Sequence, residues 1–218
     1  MKRCIILANG KAPKKIIINY FLQKLNYDLI CADGGANTAL KLKLTPKIII
    51  GDFDSALPET LSFFENDSEI IQVKRQNDTD VEKCLKYAIK HKYSEAVLIG
   101  VTGDRLDHTF CNLGIVLKFA NKINVKLAAE NSFLESFSGG VKINACIGEI
   151  VSIYGFNKTT TILTKGLKYP LVNEPLPFGV RESTSNVAIA NEIELFIKNG
   201  TMFVVRDIYG MIKNGFLQ

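Results

Sequence analysis

The stretch "KIIIGDFDS", Lys47 to Ser55, runs three isoleucines into two aspartates set two residues apart. A short unbroken apolar run reads as a strand buried on both faces, as in a parallel sheet covered by helices. On an extended chain residues i and i+2 point the same way, so Asp52 and Asp54 are expected to share a face at the strand's end. Two carboxylates that close repel by roughly 4 kcal/mol at 4 Å and an effective dielectric of about 20. A cation or a shared proton has to relieve that repulsion.

Working outward, the same grammar repeats up to about residue 130. "CIILAN", "YDLICAD", "EIIQVK", "AVLIG" and "VKLAAE" are further strand-like runs. "TDVEKCLKYAIKH", from Thr79, is the clearest helix, with Val81, Cys84, Leu85, Ala88 and Ile89 on one stripe. Thr79 and Glu82 fit the capping box at its start. A second helix is expected over roughly Asp107 to Ala120, with Phe110, Leu113, Val116 and Leu117 on one side. Strands alternating with helices imply an α/β fold, a doubly wound, mostly parallel sheet with helices on both faces. In such a sheet ligands bind outside the carboxyl ends of the strands.

From residue 131 to 218 the pattern changes. "FLESF", "VKINACI", "EIVSIYGF", "TTTILT", "VAIA", "IELFIK" and "TMFVV" read as short strands parted by Gly, Asn and Pro, which predicts an antiparallel sandwich or barrel. The span from Lys165 to Asn186, with Pro170, Pro175 and Pro177, is too long for a hairpin connection, and loops of that length are often functional.

Four of the first-half strands run into acids. "YDLICAD" ends in Asp33, followed by Gly34, Gly35 and Asn37; "KIIIG" leads to Asp52 and Asp54; "NDTD" supplies Asp78 and Asp80; "GVTGDRLDH" supplies Thr102, Gly103, Asp104, Arg105, Asp107 and His108. Each has a plainer reading taken alone. Asp33-Gly34-Gly35 can be a turn, Asp80 can complement a helix dipole, Asp107 can be an N-cap, and His108 can serve a core or a cap. Together, on one edge of a sheet, they point to a shared site for a divalent metal and phosphate. Carboxylate oxygens suit Mg²⁺. Gly34, Gly35 and Gly103 let backbone approach phosphates beside helix N-termini, and Arg105 can hold phosphate oxygens in its fork. Neither a P-loop nor a G-x-G-x-x-G fingerprint is present.

Bulk properties are those of an ordered globular protein, whose lysine clusters read as a solvated face or, alternatively, as a mild attraction for small anions such as nucleotides. The net charge of +5 on 218 residues is scattered, with Lys11, Lys14 and Lys15 the densest cluster, and no basic–aromatic interleaving argues for nucleic acid. Five widely spaced cysteines without C-x-x-C read as reduced thiols of a cytoplasmic protein. No apolar stretch is long enough for a membrane span.

"DGGAN", "GDFDS", "NDTD" and "GVTGDRLDH", in this order, together with "TKGLKYPL" and "STSN" in the second half, resemble thiamin pyrophosphokinase over nearly the whole chain. The resemblance implies an α/β ATP- and Mg²⁺-binding domain at 1–130 and a β-sandwich at 131–218 for thiamin binding and dimerisation. It implies transfer of a pyrophosphoryl group from ATP to the hydroxyl of thiamin, giving thiamin diphosphate and AMP. Asp52, Asp54 and Asp80 would surround Mg²⁺, with Asp33 and Asp107 near the reacting groups. Gly34, Asn37, Asp78, Thr102, Gly103, Arg105 and His108 would contact ATP, and Tyr169, Ser185 and Asn186 thiamin. The partners implied are ATP, thiamin and a second copy in a homodimer with the thiamin pocket at its interface. The residues themselves leave open a pyrophosphokinase for another alcohol such as a hydroxymethylpterin, a D-x-D nucleotide-sugar glycosyltransferase, and a non-catalytic nucleotide-sensing module.

Overall fold

Six short apolar runs hydrogen-bond side by side and in one direction, as their near-continuous hydrophobicity requires. They are β1 (Lys2–Leu7), β2 (Asp28–Ala32), β3 (Ile48–Gly51), β4 (Glu69–Gln72), β5 (Tyr93–Ile99) and β6 (Asn124–Ala128). Their spatial order is β6-β5-β1-β2-β3-β4, every pair parallel. The computed structural model describes residues 1–74, 77–103 and 105–217, so Asp104 lies outside the described residues. The chain divides into two compact units, Met1–Glu130 and the remainder from Asn131.

In the first unit Ile5, Ile6, Leu7, Ile30, Cys31, Ile49, Val97, Leu98 and Ile99 are wholly buried. A short α1 (Lys15–Asn19) continues into a π-helical turn, Tyr20–Lys24, and is followed by α2 (Gly35–Lys41), α3 (Pro58–Phe64), α4 (Asp80–Lys90) and α5 (Leu106–Phe119). β1 lies between β2 and β5, so the chain leaves it in opposite directions on its two sides and opens a crevice there. The capping box of α4 is formed: Thr79 Oγ1 accepts from the Glu82 N–H at 3.3 Å, and Glu82 Oε2 from the Thr79 N–H at 3.1 Å.

The buried face of α5 differs from the expected one. Asn112, Ile115, Val116 and Phe119 point inward, whereas Phe110 is exposed. The buried Asn112 amide donates to the Val101 carbonyl at 2.8 Å. That polar anchor sets the helix's rotation, and hydrophobic patterning does not register it.

In the second unit two pairs of expected strands prove to be single ones. "FLESF" and "VKINACI" lie mostly in β7 (Ser132–Asn144), while "IELFIK" and "TMFVV" form β12 (Glu192–Asp207). β7 and β12 pair antiparallel, with extra β12 residues between Ile197 and Met202 bulging the ladder. One half of β12 pairs with β9 (Thr161–Lys165), the other with β8 (Ile150–Tyr154). β10 (Glu174–Pro175) joins β9, and β11 (Ser183–Val187) joins β8. Ile143, Val151, Ile153, Ile162, Leu195, Met202 and Val204 from these strands meet in one core. "VAIA", expected as a strand, gives only Val187 to the ladder, as the last residue of β11, and an isolated bridge from Ala188 to Leu167; "STSN" forms the rest of β11. The terminal α6 (Ile208–Lys213) is capped by Asp207, which accepts from the Gly210 N–H at 2.6 Å.

All five cysteines are free; Cys4, Cys31 and Cys84 are buried, and burial pushes their thiols up, which leaves them unreactive. Among the described residues no helix is long and apolar enough to cross a membrane.

Candidate active site

Where β2 ends, Asp33 takes a left-handed backbone (φ 44°) and its N–H donates to the Ile50 carbonyl. Its side chain then crosses the end of β3. A Cβ at position 51 would lie 2.7 Å from Asp33 Oδ2, so only glycine fits there. The Asp33 carboxylate, 2% exposed, accepts N–H groups from Phe53 at 2.9 Å, Ser55 at 3.2 Å and Ala56 at 2.6 Å. The loop after β3 is therefore wrapped around an acid, with Phe53 also left-handed at φ 66°.

This corrects the expectation that Asp52 and Asp54 share a face of an extended strand. β3 ends at Gly51 and the turn at Phe53 breaks the two-residue alternation. Asp54 is exposed and accepts from the Ser55 hydroxyl at 2.8 Å. Both acids nevertheless line one cleft of about 640 Å³ at the carboxyl ends of the strands. Asn37 does not line it. Its amide braces the same loop, donating to the Ser55 carbonyl at 2.9 Å and accepting from the Leu57 N–H at 3.0 Å.

Asp33, Asp52 and Asp80 each offer a carboxylate oxygen, and these lie within 4.8 Å of one another. Among the described residues this close group holds Asp33, and Asp54 is not part of it. Three hard oxygen donors suit Mg²⁺. Lys83, which sequence reasoning passed over, meets two of them. Its buried ammonium lies 2.7 Å from Asp80 Oδ1 and 3.6 Å from Asp52 Oδ2. Its signal was legible, since i and i+3 share a helix face and Asp80 faces the strand end. Burial pushes Asp33 up, with the Asp80 charge and the Asp52 contact adding, while the Ala56 and Phe53 N–H groups oppose. Burial alone would also raise Asp52, but its contact with Asp33 and the Lys83 ammonium outweigh that and hold it low. For Lys83 desolvation acts downward, yet Asp80 and Asp52 prevail and raise it.

The rest of the cleft is built from loops and helix starts. Gly34, Thr102 and Gly103 line it with little or no side chain, and Asn9, Gly10 and Asn112 are lining residues not anticipated from sequence. Asp78 lines it and binds Lys86 at 2.6 Å. Arg105 and Asp107, both exposed, form a forked pair at 3.0 and 2.6 Å, and Arg105 above all holds the Asp107 carboxyl well below the usual range. Asp107 lies inside the first turn of α5, whose N-cap is Arg105, so it is not the cap; His108 is exposed beside it on the cleft wall.

In the second unit Tyr169 and Ser185 are exposed, whereas Asn186 is 1% exposed. Asn186 Oδ1 accepts from the Tyr169 N–H at 3.0 Å, and Nδ2 donates to the Tyr169 carbonyl at 2.7 Å and to Ser183 Oγ at 3.1 Å. Its amide is spent on clasping residue 169. Ser185 is left-handed (φ 56°), and its N–H donates to Ser152 Oγ.

Two family models match the chain: thiamin pyrophosphokinase, catalytic domain, over residues 21–127, and thiamin pyrophosphokinase, vitamin B1 binding domain, over residues 141–202. Thiamine pyrophosphokinase of Bacillus subtilis is 27% identical over 221 residues, covering 98% of this chain and 99% of its own. Thiamine pyrophosphokinase 1 of Oryza sativa is 26% identical, covering 84% of this chain and 79% of its own. Among solved structures, the Bacillus subtilis enzyme superposes with a TM-score of 0.82 at 22% identity, covering 94% of this chain and 99% of that one. Yeast thiamin pyrophosphokinase gives 0.78 at 19% identity, covering 97% and 88%. The chain belongs to the thiamin pyrophosphokinase family.

Proposed function

We propose that the chain transfers the pyrophosphoryl group of ATP to the hydroxyl oxygen of thiamin, releasing AMP. The observation that carries this reading is the convergence of Asp33, Asp52 and Asp80 within 4.8 Å in the lining of a cleft of about 640 Å³, large enough for a nucleotide. In this reading Asp52 and Asp80 hold Mg²⁺, with Asp33 beside them and Asp54 on the cleft rim. Bound there, the ion supplies positive charge to the phosphate oxygens.

The chain's own residues do the positioning. Asp33 fixes the loop that presents Asp52, by its three accepted N–H groups. Asp107 holds the Arg105 guanidinium on the cleft wall, ready to meet phosphate oxygens. Gly34, Thr102 and Gly103 allow close approach of the polyphosphate, and Asp78 and His108 complete the wall. The thiamin hydroxyl gives up its proton to solvent as its oxygen bonds to the β-phosphorus, while the bond from that phosphorus to the α–β bridging oxygen breaks, and AMP leaves with the electron pair. Catalysis of this kind rests mainly on positioning and charge. Tyr169 and Ser185 contact thiamin, the exposed ring of Tyr169 stacking on a flat cationic ligand, while Asn186 positions residue 169. A homodimer and a cytoplasmic setting belong to the same reading, the latter supported by the unpaired cysteines.

The test is product analysis of purified protein with ATP, Mg²⁺ and thiamin. AMP and thiamin diphosphate in equal amounts are expected. Turnover only with a hydroxymethylpterin or a nucleotide sugar, or no turnover at all, overturns the reading.

A further inference from the structure

Lys83 is buried to 6% exposure one turn along α4 from Asp80, and its ammonium touches Asp80 and Asp52. Taking an ammonium out of water is costly unless anions compensate for it. Here the compensating anions are two carboxylates assigned above to Mg²⁺. We propose that Lys83 makes metal binding conditional on nucleotide: its fixed charge lets the three carboxylates coexist and disfavours a divalent ion arriving alone, so that ion and polyphosphate enter together. The inference rests on the metal-site reading of the preceding subsection.

The charge count supports it. Asp33, Asp52 and Asp80, if all ionised, carry three negative charges against one from Lys83. A divalent ion on Asp52 and Asp80 would stand close to the ammonium that already contacts both. An exposed lysine would swing into water to escape the repulsion, but this side chain, 4% exposed, is denied that retreat. ATP brings several negative charges at once. Its phosphate oxygens give the ammonium a new anionic partner, and the repulsion between lysine and ion is screened at its source. Lys83 is on this account a positioning residue that sets the order of assembly.

Mn²⁺, which reports its own binding by paramagnetic resonance, is titrated into the full-length protein with and without a non-hydrolysable ATP analogue. Wild type is expected to hold Mn²⁺ at least tenfold more tightly with the analogue. Lys83→Met keeps the length of the stem and removes the charge; it should tighten binding of Mn²⁺ alone about tenfold. Lys83→Arg should retain the wild-type gap. A purely structural lysine predicts the reverse, looser metal binding in Lys83→Met. Unchanged or weaker Mn²⁺ binding by a folded Lys83→Met protein overturns the proposal and leaves the metal site standing. Wild type that holds no Mn²⁺ even with the analogue overturns both. If thermal melting shows that Lys83→Met does not fold, the wild-type comparison decides: equal affinity with and without the analogue sinks the proposal.

Discussion

Both edges of the parallel sheet bury acids, and they treat them in opposite ways. At the amino edge Glu95 accepts from the Tyr27 hydroxyl, from Asn124 Nδ2 at 2.7 Å and from Lys126 at 3.0 Å. Asp28 accepts from the Tyr93 hydroxyl at 2.6 Å and from Lys47 at 2.9 Å. Each acid there has donors of its own. At the carboxyl edge Asp33 has three N–H donors of its own, but it crowds against Asp52 and Asp80, which share Lys83. An arrangement that only stabilised the fold would resemble the first edge. The second keeps an electrostatic deficit in place, and such a deficit is what a cation-dependent reaction requires.

The sharpest way to break this contrast is at Asp52. Asp52→Asn should lower turnover by about 10³-fold, followed as AMP release, while the melting temperature holds or rises because repulsion is relieved. A loss of stability with activity per folded molecule intact would assign Asp52 to the wrong edge. The mirror change is Glu95→Ala, which removes the carboxylate that the Tyr27 hydroxyl, Asn124 and Lys126 all meet. It should destabilise by about 3 kcal/mol in denaturant titration and leave turnover per folded molecule unchanged.

The smallest effect is expected from pH at Asp28. Burial alone would raise this carboxyl, but Tyr93 and Lys47 outweigh it, so its folded value lies below the ordinary 3.8. A depressed acid contributes stability above its unfolded value and loses it as pH falls through its folded one. Wild type should therefore lose stability below about pH 4 more steeply than Asp28→Asn, the difference reaching about 1 kcal/mol. Parallel acid limbs for the two proteins would show that the amino-edge pairing contributes nothing.

The carboxyl edge was largely legible in the sequence, because apolar runs and the acids that follow them are local features. Asp33 was legible as a member of the site but not as the hub of the loop after β3. That role depends on the missing Cβ of Gly51 and on three N–H groups some twenty residues away. Lys83 carries a sequence signal in its i, i+3 spacing from Asp80, but that spacing marks a shared helix face and not burial, which comes from the strand end beside it. Gly139, Gly140 and Gly200 looked like strand breaks because breaks and bulges draw on the same residues; only pairing with a neighbour tells them apart. That the Asn186 amide is spent on residue 169 and Ser183 is visible only in the fold, because a free amide and a spent one are identical in sequence.

That spent amide has a further consequence. Asn186 holds residue 169 by its main-chain N–H and carbonyl, not by a hydrogen bond to its side chain. The path of the loop is thus indifferent to which side chain it displays, and position 169 is an interchangeable part on a fixed mount. Exchanging tyrosine for a wider or narrower aromatic would retune what the surface grips without rebuilding the scaffold beneath. Altering the mount itself would disturb every ring it could carry.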